Sequence, residues 1–312
     1  MFVTVTIQTY NRCGLLAETL ESLRSLRGPA AVEYEILVVD NNSTDGTAQV
    51  LEKYGRLLAP RLRSVFEPQQ GLSHARNRAL REAQGQIVSF LDDDVLVDPD
   101  WLSAVVGAFE RYQADVVGGK SYLIYRSRRP SWLSEHYEFF LSRLDYGDRA
   151  IVGVDQDLYG LNFSVRRGTI LRAGGFDPSL GRCGSVSLRS GEESDLLRRV
   201  RALGGVVVYE PRAVVGHIIA GDRLRMKWFL RRAFAAGVDL ETMQGTAPDG
   251  PGLSRPGVHL LRCCGSVLRS VLRGEIRADV LFGKTLAVSG ALGAIYARAR
   301  RSRPVHGAEV SA

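Results

Sequence analysis

Hydrophobic residues recur with two different periods along residues 1–120 of the chain. Short apolar runs rich in β-branched residues predict strands near Phe2–Gln8, Glu35–Val39, Leu62–Phe66, Gln86–Leu91 and Asp115–Gly118. Between them, apolar positions at helical spacing predict helices near Gly14–Leu26, Asp45–Tyr54, Leu72–Ala83 and Pro99–Tyr112. Strands that alternate with helices of this length form a mostly parallel α/β sheet with helices on both faces.

The pattern changes twice further along the chain. A first domain over residues 1–220 is completed by a strand near Leu161–Val165, a helix near Glu192–Leu203, and strands Val206–Tyr209 and Ala213–Val215. The Gly- and Ser-rich stretch Leu180–Ser190 is typical of a mobile loop. Residues 221–312 predict a helical C-terminal extension, with a Gly- and Pro-rich linker over 244–257 and a helix near Val258–Leu272.

Charge distinguishes the two parts of the chain. The net charge is +7, but residues 221–312 contain 15 Lys/Arg and 7 Asp/Glu, whereas residues 1–220 contain 26 and 27. A partner recognised by charge is therefore expected at the extension. One interpretation is a platform for an anionic membrane surface, and the other is a packed helical extension with a solvated basic face. The apolar stretch 280–297 contains Lys284, which favours a buried or interfacial helix over a membrane-spanning one.

The cysteines and the N-terminus bear on the compartment. The four cysteines have no metal-ligand spacing, and two of them, Cys263 and Cys264, are adjacent, which suits reduced thiols. A strand begins at Phe2 without a charged leader, so no signal peptide is evident. These features predict a cytoplasmic protein, with the extension providing a peripheral contact with the inner face of the plasma membrane.

Three adjacent carboxylates, Asp92-Asp93-Asp94, follow the apolar run Gln86–Leu91. Like charges at the end of a buried strand are unfavourable unless a cation neutralises them. Capping of the next helix is the alternative role, but Asp98 and Pro99 already supply that cap. The triad therefore predicts a divalent-metal site that acts on a phosphate-bearing substrate.

Other polar residues also lie where strands end or helices begin. Asp40 can accept a hydrogen bond from a nucleobase N–H, although an Asx-turn is the equally plain alternative. Arg76 and Arg78 lie in the first turns of a helix for which Ser73 is the candidate N-cap. The helix dipole disfavours cations there, so these arginines either meet phosphate or are simply surface residues.

A second acidic cluster begins at Glu192. Glu192, Glu193 and Asp195 are compatible with a general base facing the metal site, but acids at a helix N-terminus also stabilise the helix dipole. His217, at the end of the last strand of the domain, is either structural or completes a metal shell.

Taken in order, these motifs resemble the family 2 glycosyltransferases of the GT-A fold. The resemblance covers roughly residues 2–217 and rests on Thr9–Arg12, Val38–Thr47, Gly71–Ala79, Asp92–Asp94, Asn162–Arg167, Gly174–Asp177 and Gly191–Leu196. It implies inverting, metal-dependent transfer of a sugar from a nucleotide diphosphate, with UDP or dTDP favoured by Asp40. The acceptor would be a hydroxyl of a saccharide or lipid-linked molecule in surface polysaccharide or glycolipid synthesis.

The resemblance also implies residue roles. The nucleotide sugar would be bound by Thr9, Asn11, Arg12, Asp40, Asn42, Arg76, Asp92 and Asp93, and Mg²⁺ or Mn²⁺ by Asp94, Asp92 and His217. Glu193 takes the position of the family's usual aspartate base, with Asp195 in reserve and Glu192 beside them. Phe176, Asp177 and Trp132 would lie on the acceptor side.

Three other functions are weighed against this one. A nucleotidyltransferase would carry a Gly-rich basic phosphate loop after the first strand, which Thr9–Gly14 lacks. A nucleic-acid-binding module is opposed by the acidic pocket, so no nucleic-acid partner is expected. A non-catalytic protein of the same fold that binds an anionic membrane or polymer through its basic C-terminus is the main alternative.

Overall fold

The computed structural model describes residues 1–184, 188–244, 255–272 and 278–301. It divides into two compact units. The first contains Met1–Arg129, Glu135–Ser187 and Gly191–Leu224, and the second contains Pro130–Ser134, Leu188–Ser190 and Arg225–Ala312. The two short segments of the second unit lie within the span assigned to the first domain on sequence grounds.

The first unit is built on one mixed sheet. Its strands are β1 (Phe2–Thr9), β2 (Glu33–Asp40), β3 (Leu62–Phe66), β4 (Ile87–Asp92), β5 (Val95–Val97), β6 (Val116–Tyr125), β7 (Ile151–Val152), β8 (Asn162–Arg166) and β9 (Val207–Ile219). Among the described residues the order is β3-β2-β1-β4-β8-β6-β9-β5, with β7 paired to β9. The pairs β1–β2, β1–β4, β2–β3 and β6–β9 are parallel, and β8 runs antiparallel to both of its neighbours.

Helices cover both faces of this sheet. They are α1 (Cys13–Leu23), α2 (Thr47–Leu57), α3 (Leu72–Glu82), α4 (Trp101–Tyr112), α5 (Arg167–Arg172) and α6 (Glu192–Ala202). The apolar residues of β2 alternate between two buried clusters. Ile36 and Val38 lie in the cluster with α1 and α4, and Leu37 and Val39 in the cluster with α3 and α6. Because side chains along a strand alternate in direction, a run of apolar residues fills two cores.

The last strand corrects two sequence predictions. Val206–Tyr209 and Ala213–Val215 are parts of one long strand, β9, and β6 continues beyond Gly118 to Tyr125. The register shifts at Gly119/Lys120, where β9 bulges past Pro211. Gly119 is required at the bulge, since an added Cβ would collide with the carbonyl oxygen of Ala213.

Two smaller predictions also change. The N-cap of α3 is Gly71, with a φ of 144°, and the hydroxyl of Ser73 instead donates to the carbonyl of Leu180 at 2.8 Å. Of the predicted loop Leu180–Ser190, residues 185–187 lie outside the described part. The predicted linker over 244–257 lies outside it from 245 to 254, and the helix after it begins at Arg255, not Val258.

The second unit is helical, with α7 (Met226–Gln244), α8 (Arg255–Leu272) and α9 (Ala278–Arg301). Glycines let α7 and α9 approach closely, because a Cβ added to Gly237 would collide with the carbonyl oxygen of Gly290. Among the described helices, α9 has the length and apolar composition needed to cross a membrane, over Ala278–Arg300. Inside this unit Trp132 packs against the rings of Phe229 and Phe282, with centroids 5.4 and 4.6 Å away.

Candidate active site

The predicted polar residues meet at the carboxyl-terminal edge of the parallel strands. Thr9, the last residue of β1, is the register partner of Asp40 in β2. On its other side, Gln8 pairs with Asp92, the last residue of β4. Ligands of open α/β sheets bind at such edges. The topology therefore gathers residues that are more than 80 positions apart in sequence.

Asp93, the middle residue of the triad, points into the protein. Its carboxylate accepts hydrogen bonds from the hydroxyl of Thr9 at 2.8 Å and from the guanidinium of Arg12 at 3.0 Å. Burial raises the pKa of Asp93, and the charge of Arg12 only partly opposes that rise. Asp93, Thr9 and Arg12 thus hold the loop after β1 against the end of β4.

Asp94 is also buried, and its carboxylate is surrounded by basic groups. Its Oδ2 atom accepts hydrogen bonds from Arg12 at 3.0 Å and from Arg223 at 2.9 Å. Its Oδ1 atom lies 3.3 Å from Nε2 of His217. Burial opposes ionisation of Asp94, but the attraction of Arg223 and Arg12 lowers its pKa well below the usual value. Asp94 is therefore a carboxylate at neutral pH.

His217 is brought to Asp94 by strand pairing, because Val95 of β5 is its register partner in β9. Its Nδ1 atom lies 2.7 Å from the carbonyl oxygen of Leu141, and its Nε2 atom lies 2.9 Å from Nη1 of Arg223. A carbonyl only accepts and a guanidinium only donates, so Nδ1 carries the proton and Nε2 presents a lone pair.

This donor set can be compared with what a divalent cation requires. The described residues hold no group of three or more His, Cys, Asp and Glu side chains suited to an ion. They do hold a pair: Oδ1 of Asp94 is buried and accepts no hydrogen bond from those residues, and it lies 3.3 Å from the Nε2 lone pair of His217. Ligands of octahedral Mg²⁺ at about 2.1 Å are about 3 Å apart. The pair fits two corners of such a shell, while Asp92 lies apart, half-exposed, with its carboxylate 3.8 Å from Arg76.

Arg76 links the triad to the second acidic cluster. Its side chain is 1% exposed, and its Nη1 atom donates to Glu192 and Glu193, each at 2.9 Å. Its guanidinium lies over the ring of Phe176, 5.2 Å from the centroid. Although burial disfavours a cation, these carboxylates raise the pKa of Arg76. Arg76 is thus a permanently charged residue at the centre of the cluster.

The two glutamates on Arg76 differ in environment. Burial and the charge of Glu193 raise the pKa of Glu192 to about 8, against which Arg76 acts only in part. The Oε2 atom of Glu192 is buried and has no hydrogen-bond partner in the described structure. The side chain of Glu193 is 16% exposed, compared with 3% for Glu192. Glu193 is therefore the more accessible carboxylate of the two.

Asp195, the reserve base, forms a separate cluster. Its carboxylate pairs with Arg198 and Arg199, both at 2.7 Å. Arg199 in turn donates to the carbonyl of Gly175 at 2.8 Å. These contacts give Asp195 a bracing role between α6 and the Gly174-Gly175 turn.

The loops predicted to bind the nucleobase are ordered by hydrogen bonds of their own side chains. Asp40 accepts a hydrogen bond from the amide of Ser43 at 2.9 Å, which is the Asx-turn of the alternative interpretation. Asn11 accepts one from the amide of Thr44 at 2.7 Å. Asn42 is exposed and has a φ of 70°. These residues form an exposed rim at the ends of β1 and β2.

The three residues predicted on the acceptor side lie in different environments. Phe176 is buried, with its ring edge-on to Phe90 at a centroid distance of 5.2 Å. Asp177 is exposed and accepts a hydrogen bond from the amide of Ser179. Trp132 belongs to the helical unit. Phe176 thus supports Arg76 from within the core.

Sequence reasoning missed two residues at this edge. Asn41 is buried, donates to the carbonyls of Glu67 and Gln69 at 3.1 and 2.7 Å, and accepts from the amide of Gly71 at 2.8 Å. It thereby ties the ends of β2 and β3 to the start of α3. Arg223 was counted only as part of the basic C-terminus. Asn41 could have been noticed as an asparagine between a strand and its turn, but no local pattern marks Arg223.

Comparison with known proteins identifies the family. The model of "Glycosyl transferase family 2" matches residues 4–171. A glucosyl-dolichyl phosphate glucuronosyltransferase from Haloferax volcanii is 27% identical over 250 residues, which are 78% of this chain and 77% of the relative. The succinoglycan biosynthesis protein ExoM from Rhizobium meliloti is 27% identical over 238 residues, 76% and 73% of the two chains.

A solved structure shows the same fold. It is the mannosyltransferase PcManGT from Pyrobaculum calidifontis in complex with GDP-Man and Mn²⁺, with a TM-score of 0.65 at 20% identity. The similarity covers 95% of this chain and 86% of that one. The predicted α/β fold with a helical C-terminal extension is thus confirmed. Since the family model matches more than half of the chain, the protein belongs to glycosyl transferase family 2.

Proposed function

We propose that this protein transfers a sugar, with inversion, from a nucleotide diphosphate to a hydroxyl group of a saccharide or lipid-linked acceptor. The observation that carries the proposal is the position of Arg76, whose guanidinium lies 3.8 Å from Asp92 and 2.9 Å from Glu193. It connects the residue proposed to bind the donor ribose with the residue proposed to act as base. A donor at the strand ends would thus have its sugar close to Glu193.

Each proposed role follows from the side chain's environment. Asp92, half-exposed at the end of β4, accepts hydrogen bonds from the ribose hydroxyls, and Asp40 lies at the rim where the base would bind. Asp94 and His217 would hold Mg²⁺ or Mn²⁺ through Oδ1 and Nε2. Such a cation neutralises charge on a leaving diphosphate. PcManGT was solved with Mn²⁺ and GDP-Man, which supports the metal and the class of donor.

The reaction moves one proton and exchanges one bond. The acceptor hydroxyl attacks the anomeric carbon, its proton passes to Glu193, and the bond from that carbon to the diphosphate oxygen breaks with its electron pair on the leaving group. Attack from the face opposite the leaving group inverts the configuration. Arg76 orients Glu193 before the acceptor arrives. Because Glu192 has a pKa of about 8, it is mostly protonated at neutral pH and adds no second full negative charge beside Glu193.

The acceptor class is proposed from the relatives. One relative's name specifies a glucosyl-dolichyl phosphate, and another relative takes part in succinoglycan biosynthesis. We infer a role in the assembly of a polysaccharide or glycolipid. A lipid-linked acceptor would require the enzyme to work at a membrane surface, on the cytoplasmic side where nucleotide sugars are made.

Helix α8 supports this location. Leu261 and Leu268, seven residues apart and therefore on one face, are each 60% exposed. Arg262 and Arg269 follow them at the same spacing and are exposed beside that face. An apolar face flanked by arginines is typical of a helix that lies in an anionic lipid surface.

A donor screen tests the transferase. The purified chain is incubated with UDP-, dTDP- and GDP-sugars, with Mn²⁺, with Mg²⁺ or with EDTA, and thermal shift and slow donor hydrolysis are measured. We expect a metal-dependent response to one donor that is lost in Asp94→Asn and kept in Asp100→Asn, a control acid on the exposed surface. No response to any donor from folded protein would contradict the proposal and favour a non-catalytic binding protein of the same fold.

A separate measurement tests the membrane contact. Sedimentation with vesicles of phosphatidylglycerol and phosphatidylcholine is compared with sedimentation with phosphatidylcholine alone. We expect binding only to the anionic vesicles, lost when Leu261 and Leu268 are both replaced by aspartate. Leu203→Asp, at a residue 58% exposed at the end of α6, is the matched control and should still bind. Equal loss in both variants would show that α8 is not the contact.

A further inference from the structure

Arg223 contacts the two side chains that are proposed to bind the metal, Asp94 and His217. Its side chain is 9% exposed, its Nη2 atom donates to Oδ2 of Asp94 at 2.9 Å, and its Nη1 atom lies 2.9 Å from Nε2 of His217. It is carried by a short 3-10 turn, Gly221–Leu224, that directly follows β9. One guanidinium therefore bridges the carboxylate and the imidazole.

This bridge and a metal ion exclude each other at His217. A neutral imidazole has one lone pair, and with Nδ1 protonated that lone pair is on Nε2. It can accept a hydrogen bond from Arg223 or ligate a cation, but not both. Arg12 and Arg223 also share Oδ2 of Asp94, so the carboxylate is already neutralised without a metal. A divalent ion that reached this pair would have to displace Arg223 and would then lie next to its positive charge.

We propose that Arg223 competes with the metal ion for Asp94 and His217 and, once displaced, binds the diphosphate of the donor. The inference rests on the proposed function, because the metal and the nucleotide belong to it. A displaced guanidinium beside a divalent ion and Arg12 requires an anion, and guanidinium groups bind phosphate oxygens in pairs. Arg223 would thus contact the leaving group during transfer.

Cooperative binding follows from this exchange. A metal alone breaks two contacts of Arg223 and leaves its charge uncompensated, whereas Arg12 keeps its contact with Asp93. A metal that arrives with a diphosphate leaves Arg223 with a new partner. Metal should therefore bind weakly to the free chain and strongly in the presence of nucleotide, and Arg223 should be the residue that couples the two events.

The experiment measures Mn²⁺ binding directly, from the electron paramagnetic resonance signal of free Mn²⁺. In Arg223→Gln we expect the affinity for Mn²⁺ alone to rise about tenfold, because one charged hydrogen-bond network no longer competes. With Mn²⁺ saturating, the affinity for UDP or GDP, whichever the natural chain binds, should fall about tenfold. A merely structural role would lower both affinities together.

The control is Arg212→Gln, which removes the same charge from an exposed position on β9, where the side chain is 67% exposed and pairs with Glu210. It should change neither affinity. An Mn²⁺ affinity that is unchanged or reduced in Arg223→Gln would overturn the inference, as would an unchanged nucleotide affinity.

The two proposals fail in different ways. If the natural chain binds no nucleotide with Mn²⁺, the proposed function fails, while tighter Mn²⁺ binding by Arg223→Gln would still show that Arg223 holds the site. If neither protein binds Mn²⁺, the inference fails as well. Arg223→Lys keeps the charge and one donor, and it replaces the glutamine variant if that one does not fold. It should retain the coupling in part, and complete loss of coupling would count against the charge argument.

Discussion

Replacing Glu192 by glutamine removes a proton-binding group from the interior of the first unit. Glu192 is 2% exposed, and burial together with the neighbouring charge of Glu193 raises its pKa from 4.5 to about 8. Glutamine has nearly the shape of the protonated acid and no charge. The substitution should therefore leave the fold intact and change mainly how stability depends on pH.

The sign and size of that change follow from linkage. Between the two pKa values the folded protein keeps a proton that the unfolded chain has released, so stability falls as pH rises, by about 1.4 kcal/mol per pH unit. The stabilisation that the folded protein gains from this proton is fully present below the pKa of the unfolded chain and is lost as pH rises towards the pKa of the folded protein. From about pH 5.5 to about pH 7.5 the free energy of unfolding should fall by roughly 2 to 3 kcal/mol because of Glu192, and Glu192→Gln should not show this fall.

The assay is the free energy of unfolding in urea at those two pH values. We expect the natural protein to lose roughly 2 to 3 kcal/mol more than Glu192→Gln over this interval. Glu52→Gln, at an exposed acid of α2, is the matched control and should follow the natural protein. If the curves for Glu192→Gln and the natural protein run parallel, Glu192 is ionised in the folded state and the account of the cluster is wrong.

Three further substitutions test the site and the sheet. Glu193→Gln should lower the rate of donor hydrolysis about 10²-fold or more while nucleotide affinity is kept, because it removes only the proposed base; an unchanged rate would exclude that role. Gly119→Ala should lower the free energy of unfolding by about 1–3 kcal/mol, because its methyl group collides with the bulge. Gly107→Ala, in open space on α4, should leave the free energy of unfolding unchanged, and equal thermal shifts in the two variants would contradict this. Asn41→Ala should cost about 1–3 kcal/mol in urea through its lost buried hydrogen bonds, and no loss would show that the loops hold without it.

The alternating pattern of the first half of the chain was sufficient to predict its fold. Strands β1 to β4 begin and end within two residues of the predicted ends, because each is a compact apolar run bounded by polar residues. The prediction failed at β9, which it divided into two strands. A bulge keeps the strand continuous there, and whether a bulge forms depends on the partner strand, which local sequence does not contain.

The site shows the same limit more sharply. The sequence singled out Asp94, but its partner Arg223 is 129 residues away, and only the pairing of β5 with β9 brings the two regions together. The orientation of Asp93 toward Arg12 depends equally on how the chain turns after β4. Positions of charged residues can be read from a sequence, whereas the partners that neutralise them are a property of the fold.

The triad and the glutamate pair follow one electrostatic rule. At both clusters the described residues place arginines against the carboxylates: Arg12 and Arg223 at Asp94, and Arg76 at Glu192 and Glu193. Where arginines already balance the charge of the carboxylates, a metal ion that binds alone adds little stabilisation. A metal ion that binds together with a diphosphate is stabilised more, because the arginines can then exchange carboxylate oxygens for phosphate oxygens. The internal arginines would thus bias the site toward a metal bound together with a diphosphate.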